Sequence, residues 1–436
     1  MCQKILLTAF IIFACAAVAC AQQLLGLKDA IGLAINQNYN LKVYSDSTKI
    51  ASANNTIGNA GMLPVVNSTD GLTYGNSNLH QAFAGRPDVI KKGAVSTGKT
   101  GNLVVSYNLF DGLRMFATKH RLEELEFISK NSFKVQLEST ILQVMTGYYN
   151  IVRAIQTQHV TLEAIRIDDE RMATAKTKFD VGAGNKIDLL QATVDRNQDQ
   201  SALMAQQISI DSAKVFLNQL MARDLNTTFE PADTNLIVEF MPSYTQVIDS
   251  AVAKNVILKN ARLSMRLSEY TLKQVKADLY PQISGIAGYF YNRSTNTAGF
   301  SLYNQSYGPQ LGLNLNWNLF NGFNVKRRIS NAKISIHATQ MQYQNVYTVT
   351  LANITAQYKY FQNSLATLEL EKQNIKVAHE NLDIALAKYR LGASTQIELM
   401  TAEQSLVASL NRLVIARYKT KIAESALLRL SGSLVN

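Results

Sequence analysis

Cysteine is nearly missing from this chain of 436 residues, and the three present, Cys2, Cys15 and Cys20, all fall in the first twenty positions. Removal of that leader leaves no thiol, which excludes disulfides and thiolate metal sites. Proline is also scarce, with six in all, and tryptophan occurs once, at Trp317. Beyond the leader no run approaches the roughly eighteen consecutive apolar residues of a membrane helix. No tract of one charge exists either. The net charge of +11 is spread along the chain, which fits solvated helix faces and gives no footing to a nucleic acid. The five histidines, His80, His120, His159, His337 and His379, are scattered. With no convincing nucleophile, base or metal constellation, neither an enzyme nor a cofactor is expected.

The leader itself, "MCQKILLTAFIIFACAAVACAQQ", has a positive charge at Lys4, an apolar run from Ile5 to Val18, and small residues at Ala19 and Ala21. It reads as a signal peptide over residues 1–21, cleaved before Gln22. A rival reading cuts before Cys20 and attaches a lipid there, although Ala17 stands where such a box usually has leucine. Either way, an exported protein without a helical anchor is expected.

What the chain does have is an internal repeat. "VVSYNLFDG" (Val104–Gly112) aligns with "LNLNWNLFNG" at an offset of 210, and the register then holds to the C-terminus: Tyr148 with Tyr358, Lys178 with Lys388, Gly182 with Gly392, Leu220 with Leu430. Upstream the offset becomes 217, pairing Asn38 with Asn255, Pro64 with Pro281 and Tyr74 with Tyr291. The extra seven residues lie in "NLHQAFAGRPDVIKKGAVSTGKT", where a loop insertion is expected, its basic Arg86, Lys91, Lys92 and Lys99 solvated. Two structural repeats follow, 22–230 and 231–436, joined at "NTTFEPADTNLIVEFMPS" with Pro231 and Pro242.

From Leu113 to Phe179 there is no proline and one glycine, Gly147. That length makes a helix about 100 Å long. Apolar residues recur in heptads, among them Ile141, Val144, Tyr148, Ile151, Ile155 and Leu162, with Leu351, Ile354, Tyr358, Phe361, Leu365 and Leu368 in the second copy. Sustained heptads call for coiled-coil packing. Matching turns, "FDVGAGNKIDLLQA" and "YRLGASTQIELMTA", end the two long helices, with Gly182 and Gly392 suited to the left-handed position and Thr395 with Glu398 forming a capping box. Helical hairpins are expected over 113–223 and 323–432.

Strands are expected at about 65–76, 102–110, 282–292 and 311–320. In the last, Leu311, Leu313, Leu315, Trp317 and Leu319 oppose Gly312, Asn314, Asn316 and Asn318; in its twin, Leu103, Val105, Tyr107 and Leu109 oppose Asn102, Ser106 and Asn108. Segments of about ten residues with one greasy and one polar face, and aromatics near the ends, suit a transmembrane barrel. A bilayer tolerates no open sheet edge, and about eight strands are the practical minimum for closure. Four strands cannot close alone, so the barrel must be shared between chains. Trp317, Tyr107, Tyr289 and Tyr291 are candidate membrane-interface aromatics.

The repeat, the "AGMLP" and "ADLYP" helix-to-strand junctions, the "NLFDG" and "NLFNG" strand-to-helix junctions and the paired tip turns together resemble the TolC-type outer-membrane efflux protein family over the whole mature chain. The resemblance implies a mainly α fold with a membrane β-barrel part: a homotrimer whose shared twelve-stranded barrel sits in outer-membrane lipid and continues into a long periplasmic coiled-coil barrel. It implies a passive duct in a Gram-negative outer membrane, joined at its helical tips to a periplasmic adaptor protein and through it to an inner-membrane transporter. Candidate adaptor contacts are Gly182, Ala183, Gly184, Gly392, Ala393 and Ser394. The family rings its constriction with acids from the second tip. The first of these positions is Glu398 here, and the second is Thr401, a departure. A basic latch residue corresponds to Ser394, a second departure, while Tyr389 and Asp188 match the other latch partners and could hydrogen-bond. A differently built latch is implied, with Asp180 and Arg390 as substitutes. The rival functional reading is a periplasmic coiled-coil scaffold or adhesin without a pore.

Overall fold

A computed structural model of the chain describes residues 23–233, 235–238 and 243–435. The leader, with its three cysteines and both cleavage readings, lies outside the described residues, as does Pro242 of the joint. The first repeat runs β1 (Gln23–Leu25), α1 (Leu27–Gln37), α2 (Tyr39–Asn54), β2 (Val65–Phe83), β3 (Arg86–Phe110), α3 (Arg114–Asp180) and α4 (Lys186–Leu220). The second runs β4 (Phe229–Pro231), α5 (Tyr244–Lys254), α6 (Val256–Lys276), β5 (Gln282–Asn296), β6 (Tyr303–Asn316), α7 (Asn324–Arg390) and α8 (Gln396–Leu430). Both long helices have 67 residues and both return helices 35, and each pair is displaced by 210 positions.

The repeats do not fold as separate bodies. One compact unit takes the described residues of 1–46, 131–259 and 346–436; the other takes 47–130 and 260–345. Each unit therefore draws on both repeats.

In the first unit the heptad positions build two cores related by the repeat. Val144, Tyr148 and Ile151 pack with Ala30, Ala34, Ala213 and Leu217. Their counterparts Ile354 and Phe361, with Tyr358 at the margin, pack with Val247, Ala251, Ala423 and Leu427. Burial of each such large side chain contributes about 1.5–3 kcal/mol. A paired asparagine fastens each core. Asn38 donates from Nδ2 to the Leu220 carbonyl at 2.8 Å while its Oδ1 accepts from the Leu41 N–H at 3.2 Å. Asn255 does the same with the Leu430 carbonyl at 3.0 Å and the N–H groups of Ile257 and Leu258. One side chain thus satisfies an orphan carbonyl at one helix end and an orphan N–H at the start of another.

The second unit holds one antiparallel sheet in the order β2-β3-β5-β6, in which β3–β5 pairing joins the repeats. Here the structure corrects three expectations. The supposed loop insertion is strand: β2 and β3 run on to a two-residue turn at Ala84 and Gly85, where Gly85 takes φ +76°. Its alternation of polar and small residues continues the ladder, with register shifts between Ser77 and Leu79 and between Gln81 and Phe83, so the basic residues from Arg86 to Lys99 belong to β3. The second hairpin is likewise longer at its far end, β5 reaching Asn296 and β6 beginning at Tyr303. At the near end β6 stops at Asn316, leaving Trp317 and Leu319 outside the strand. The last pair is Gln282 with Asn316; the next residue on β5 would be Pro281, which has no N–H to continue the ladder.

Candidate gate at the helical tips

Each long helix ends in the same way. Gly182 and Gly392 take φ of +73° and +75°, and the N–H groups of Ala183 and Ala393 reach back to the carbonyls of Lys178 and Lys388 at 2.8 and 2.9 Å. This is the Schellman closure that the glycine permits. The next helices open on different caps. Asn185 Oδ1 accepts from the Ile187 N–H at 3.1 Å, whereas Thr395 and Glu398 form a reciprocal capping box.

Glu398 is exposed and accepts from the Ser394 hydroxyl at 2.5 Å. That hydrogen bond, with the one from the Thr395 N–H, holds its carboxyl below the usual carboxylate range. Ser394 therefore supports the acid of its own tip. Thr401 is exposed, its hydroxyl donating back to the Ile397 carbonyl of its own helix at 2.8 Å. Apolar side chains stand out at both turns: Val181 and Ile187 on the first, Leu391 (84% exposed) and Ile397 on the second.

The two tips are tied together through residues that the repeat alone did not single out for this role. Lys178 Nζ donates to the Tyr389 carbonyl at 2.6 Å and lies 3.8 Å from the centre of the Tyr389 ring. Gln396 Nε2 donates to the Asp188 carbonyl at 2.9 Å. Arg390 faces Glu170 at 3.4 Å, not Asp180. Among the described residues no hydrogen bond joins Tyr389 to Asp188. Tyr389 is buried, which pushes its hydroxyl above the ordinary tyrosine value, with the Asp188 charge adding to the shift. The alignment of Lys178 with Lys388 held the signal for Lys178, since each lysine sits in the last turn before a tip glycine.

Two to four turns from the tip lies a buried charge cluster that the sequence alone did not reveal. Arg171 of α3, 1% exposed, donates from Nη2 to Asp168 and to Asp195 of α4, both at 2.7 Å. Its Nη1 stands 3.7 Å from Oε2 of Glu403 on α8. With Asp199 these groups line part of a cavity of about 350 Å³, to which Gln198, Gln404 and Asn411 add polar wall and Met400, Val407 and Ala408 apolar wall.

In the sheet, register decides which aromatics share a face. Tyr107 lies opposite Gly285, Tyr289 between Leu103 and Pro309, and Tyr291 between Gly101 and Tyr307. Val66, Val105, Ala287 and Leu311 form an apolar row on that same face. One step of the face past Tyr291 come Lys99, Arg293 and Gln305. Trp317 does not join this face through the ladder; its Nε1 donates to the Leu279 carbonyl at 3.3 Å.

A tandem-repeat helical fold with this sheet is that of the outer-membrane channels. The Campylobacter jejuni CmeC outer membrane channel shares it at a TM-score of 0.78 and 16% identity, covering 94% of this chain and 86% of that one. The outer membrane protein VceC of Vibrio cholerae does so at 0.76 and 16%, covering 93% and 96%. The family model described as "Outer membrane efflux protein" matches residues 30–223 and 247–433, and the chain belongs to that family. Among relatives, the outer membrane efflux protein BepC of Brucella suis is 22% identical over 382 residues, covering 85% of this chain and 82% of its own. The outer membrane protein TolC of Escherichia coli is 21% identical over 355 residues, covering 78% and 71%. The protein is an export duct of the Gram-negative outer membrane, and its family consists of channels, not enzymes.

Proposed function

We propose that three copies of this chain assemble into one duct that conducts passively whatever an inner-membrane pump delivers through a periplasmic adaptor. The observation that carries the reading is the open sheet: among the described residues β2 and β6 each pair on one side only. Such edges are not tolerated in lipid, and four strands are too few to close. Three copies supply twelve strands, and their helical hairpins form the periplasmic barrel. The lipid face is the apolar one. From Tyr107 to the level of Tyr291 is six residue steps, about 20 Å along the strand, and the charged Lys99 and Arg293 follow. An apolar stretch with aromatics at both ends is the pattern of outer-membrane barrel strands. Tyr107 and Trp317 mark the periplasmic border and Tyr291 the outer one, with Tyr289 inside the band.

The adaptor docks at the tip turns, Gly182, Ala183, Gly184, Gly392, Ala393 and Ser394, where Val181, Ile187, Leu391 and Ile397 offer apolar contacts. The gate consists of Glu398 and Asp188, with Thr401 contributing no charge. Lys178 on Tyr389 takes the place of the basic latch residue absent at Ser394. Relatives are named for protease secretion, AprF of Pseudomonas aeruginosa and PrtF of Dickeya chrysanthemi among them, so folded or unfolded polypeptide is one class of cargo to test.

In detergent the protein should run at three chain masses and form conducting pores in planar bilayers; a stable monomer without conductance overturns the assembly. Glu398→Ala combined with Asp188→Ala should raise single-channel conductance and weaken block by multivalent cations. Unchanged conductance in the double mutant rejects the acidic constriction. Lys178→Ala, which removes the tie to Tyr389 without touching the acids, should raise the open probability instead.

A further inference from the structure

The charges buried around Arg171 do not balance. Four carboxyls, Asp168, Asp195, Asp199 and Glu403, face one guanidinium, whose Nη2 is committed to Asp168 and Asp195. Glu403 is 5% exposed, yet its Oε2 has no hydrogen-bond partner, and neither do Nε and Nη1 of Arg171, all beside the same cavity. A buried carboxylate in that condition is costly, and a proton is the cheapest remedy. With a proton, Glu403 becomes a donor, and Asp168 is the acceptor at hand.

We propose that the cluster is a proton-operated clamp: a proton held on Glu403 and shared with Asp168 fastens α8, of the second hairpin, to α3 and α4, of the first, and its loss to water through the cavity loosens them.

Every element packed there has a say in the titration. Burial pushes the Glu403 carboxyl up to about 8, Arg171 pulling against it and Asp168 adding to it. Burial also raises Asp168 and, on α4, Asp199. Asp195 of α4 is held by Arg171 and accepts from Gln191 at 2.8 Å. From α7, Tyr389 feels the Arg171 charge. The repeat shows that the clamp is particular to one side. At the positions displaced by 210, Asp168 corresponds to Ala378, Arg171 to Asn381, Asp195 to Ser405, Asp199 to Ser409, and Glu403 to Thr193. The helical packing needs none of these charges, since the twin seam does without them.

The sign follows from linkage. A carboxyl whose value in the folded protein lies above the solvated value, about 4.3, leaves the clamp fully fastened below that pH. Fastening weakens as pH rises from there toward about 8, where the folded-state carboxyl itself ionises and the loss is complete. Consequences for gating rest on the duct reading above, but the test does not. Hydrogen exchange of the full-length protein in detergent, corrected at each pH for the chemical rate, is followed in residues 164–175 and 399–411. Between pH 5.5 and 8 the wild type should open at least about tenfold more, since one unit of linked titration is worth that factor. Glu403→Gln, a neutral isostere that keeps the donor, should be nearly flat. Asp168→Asn should end its rise at lower pH. A flat wild type, a Glu403→Gln profile that follows the wild type, or an unshifted Asp168→Asn each overturns the clamp. Failure to trimerise or conduct would instead strike the duct reading and leave this result standing.

Discussion

Arg171→Met is expected to destabilise the helical unit by about 3–5 kcal/mol, the range for removing one partner of a buried ion pair. The guanidinium is the single cation among Asp168, Asp195, Asp199 and Glu403, and two of its bonds are 2.7 Å long. Methionine fills much of the volume, so the loss reports charge and not cavity. Without arginine the carboxyls repel one another, and protonation relieves them; the destabilisation should therefore be larger at pH 8 than at pH 5.5. Denaturation of the detergent-solubilised protein, followed by helical circular dichroism at both pH values, measures it. A loss below about 1 kcal/mol at both would mean that water enters the cavity and screens the acids as it does at an exposed pair.

Why this cluster escaped the sequence while the cores did not is a matter of what each depends on. The heptad residues Val144, Tyr148 and Ile151 announce their burial by spacing, and their counterparts Ile354, Tyr358 and Phe361 repeat the message. Arg171 and Asp168, three apart on a long helix, look like any solvated pair on a helix face. They are buried because α8 lies over them, a fact of tertiary packing. The repeat did carry a trace: five charged positions whose twins are Ala378, Asn381, Ser405, Ser409 and Thr193. Departures from an internal repeat at seam positions are a usable signal for special chemistry.

The contacts between the two tips were only partly legible for a related reason. Adjacency in the two tips points to Asp180 and Arg390; Arg390 does cross to the first long helix, but to Glu170, while Lys178 reaches the Tyr389 backbone carbonyl, and a backbone acceptor leaves no mark in a sequence. Strand ends failed for the opposite reason. Seven inserted residues suggest a loop because insertions collect there, whereas polar, glycine-rich alternation serves equally well as strand when both neighbours extend with it.

Gly112→Ala should be clearly more damaging than Gly322→Ala, although the two glycines occupy the same place in "NLFDG" and "NLFNG". Both are left-handed, at φ of +72° and +64°, and each is followed by a second left-handed residue, Leu113 or Phe323. A side chain in that conformation costs about 1–2 kcal/mol at either site. Space separates them. At Gly322 a Cβ meets nothing closer than Asn324 Nδ2 at 3.8 Å; at Gly112 it would stand 2.5 Å from the Ala277 carbonyl oxygen and 3.0 Å from the Ala277 Cα. Backbone cannot swing aside as a side chain does, so overpacking adds about 1–3 kcal/mol. Ala277 begins the short 3₁₀ turn that leads into Pro281 and β5, and the next residue, Asp278, is gripped by Arg114 and Arg328. A shift at Ala277 therefore moves the start of β5, the strand that joins the two repeats in the sheet. Gly112→Ala should lower both thermal stability and the fraction of protein recovered as inserted oligomer from outer membranes, with Gly322→Ala losing only the smaller part that left-handed strain accounts for. Equal losses at the two sites would show that left-handed strain, and not the approach to Ala277, sets the cost.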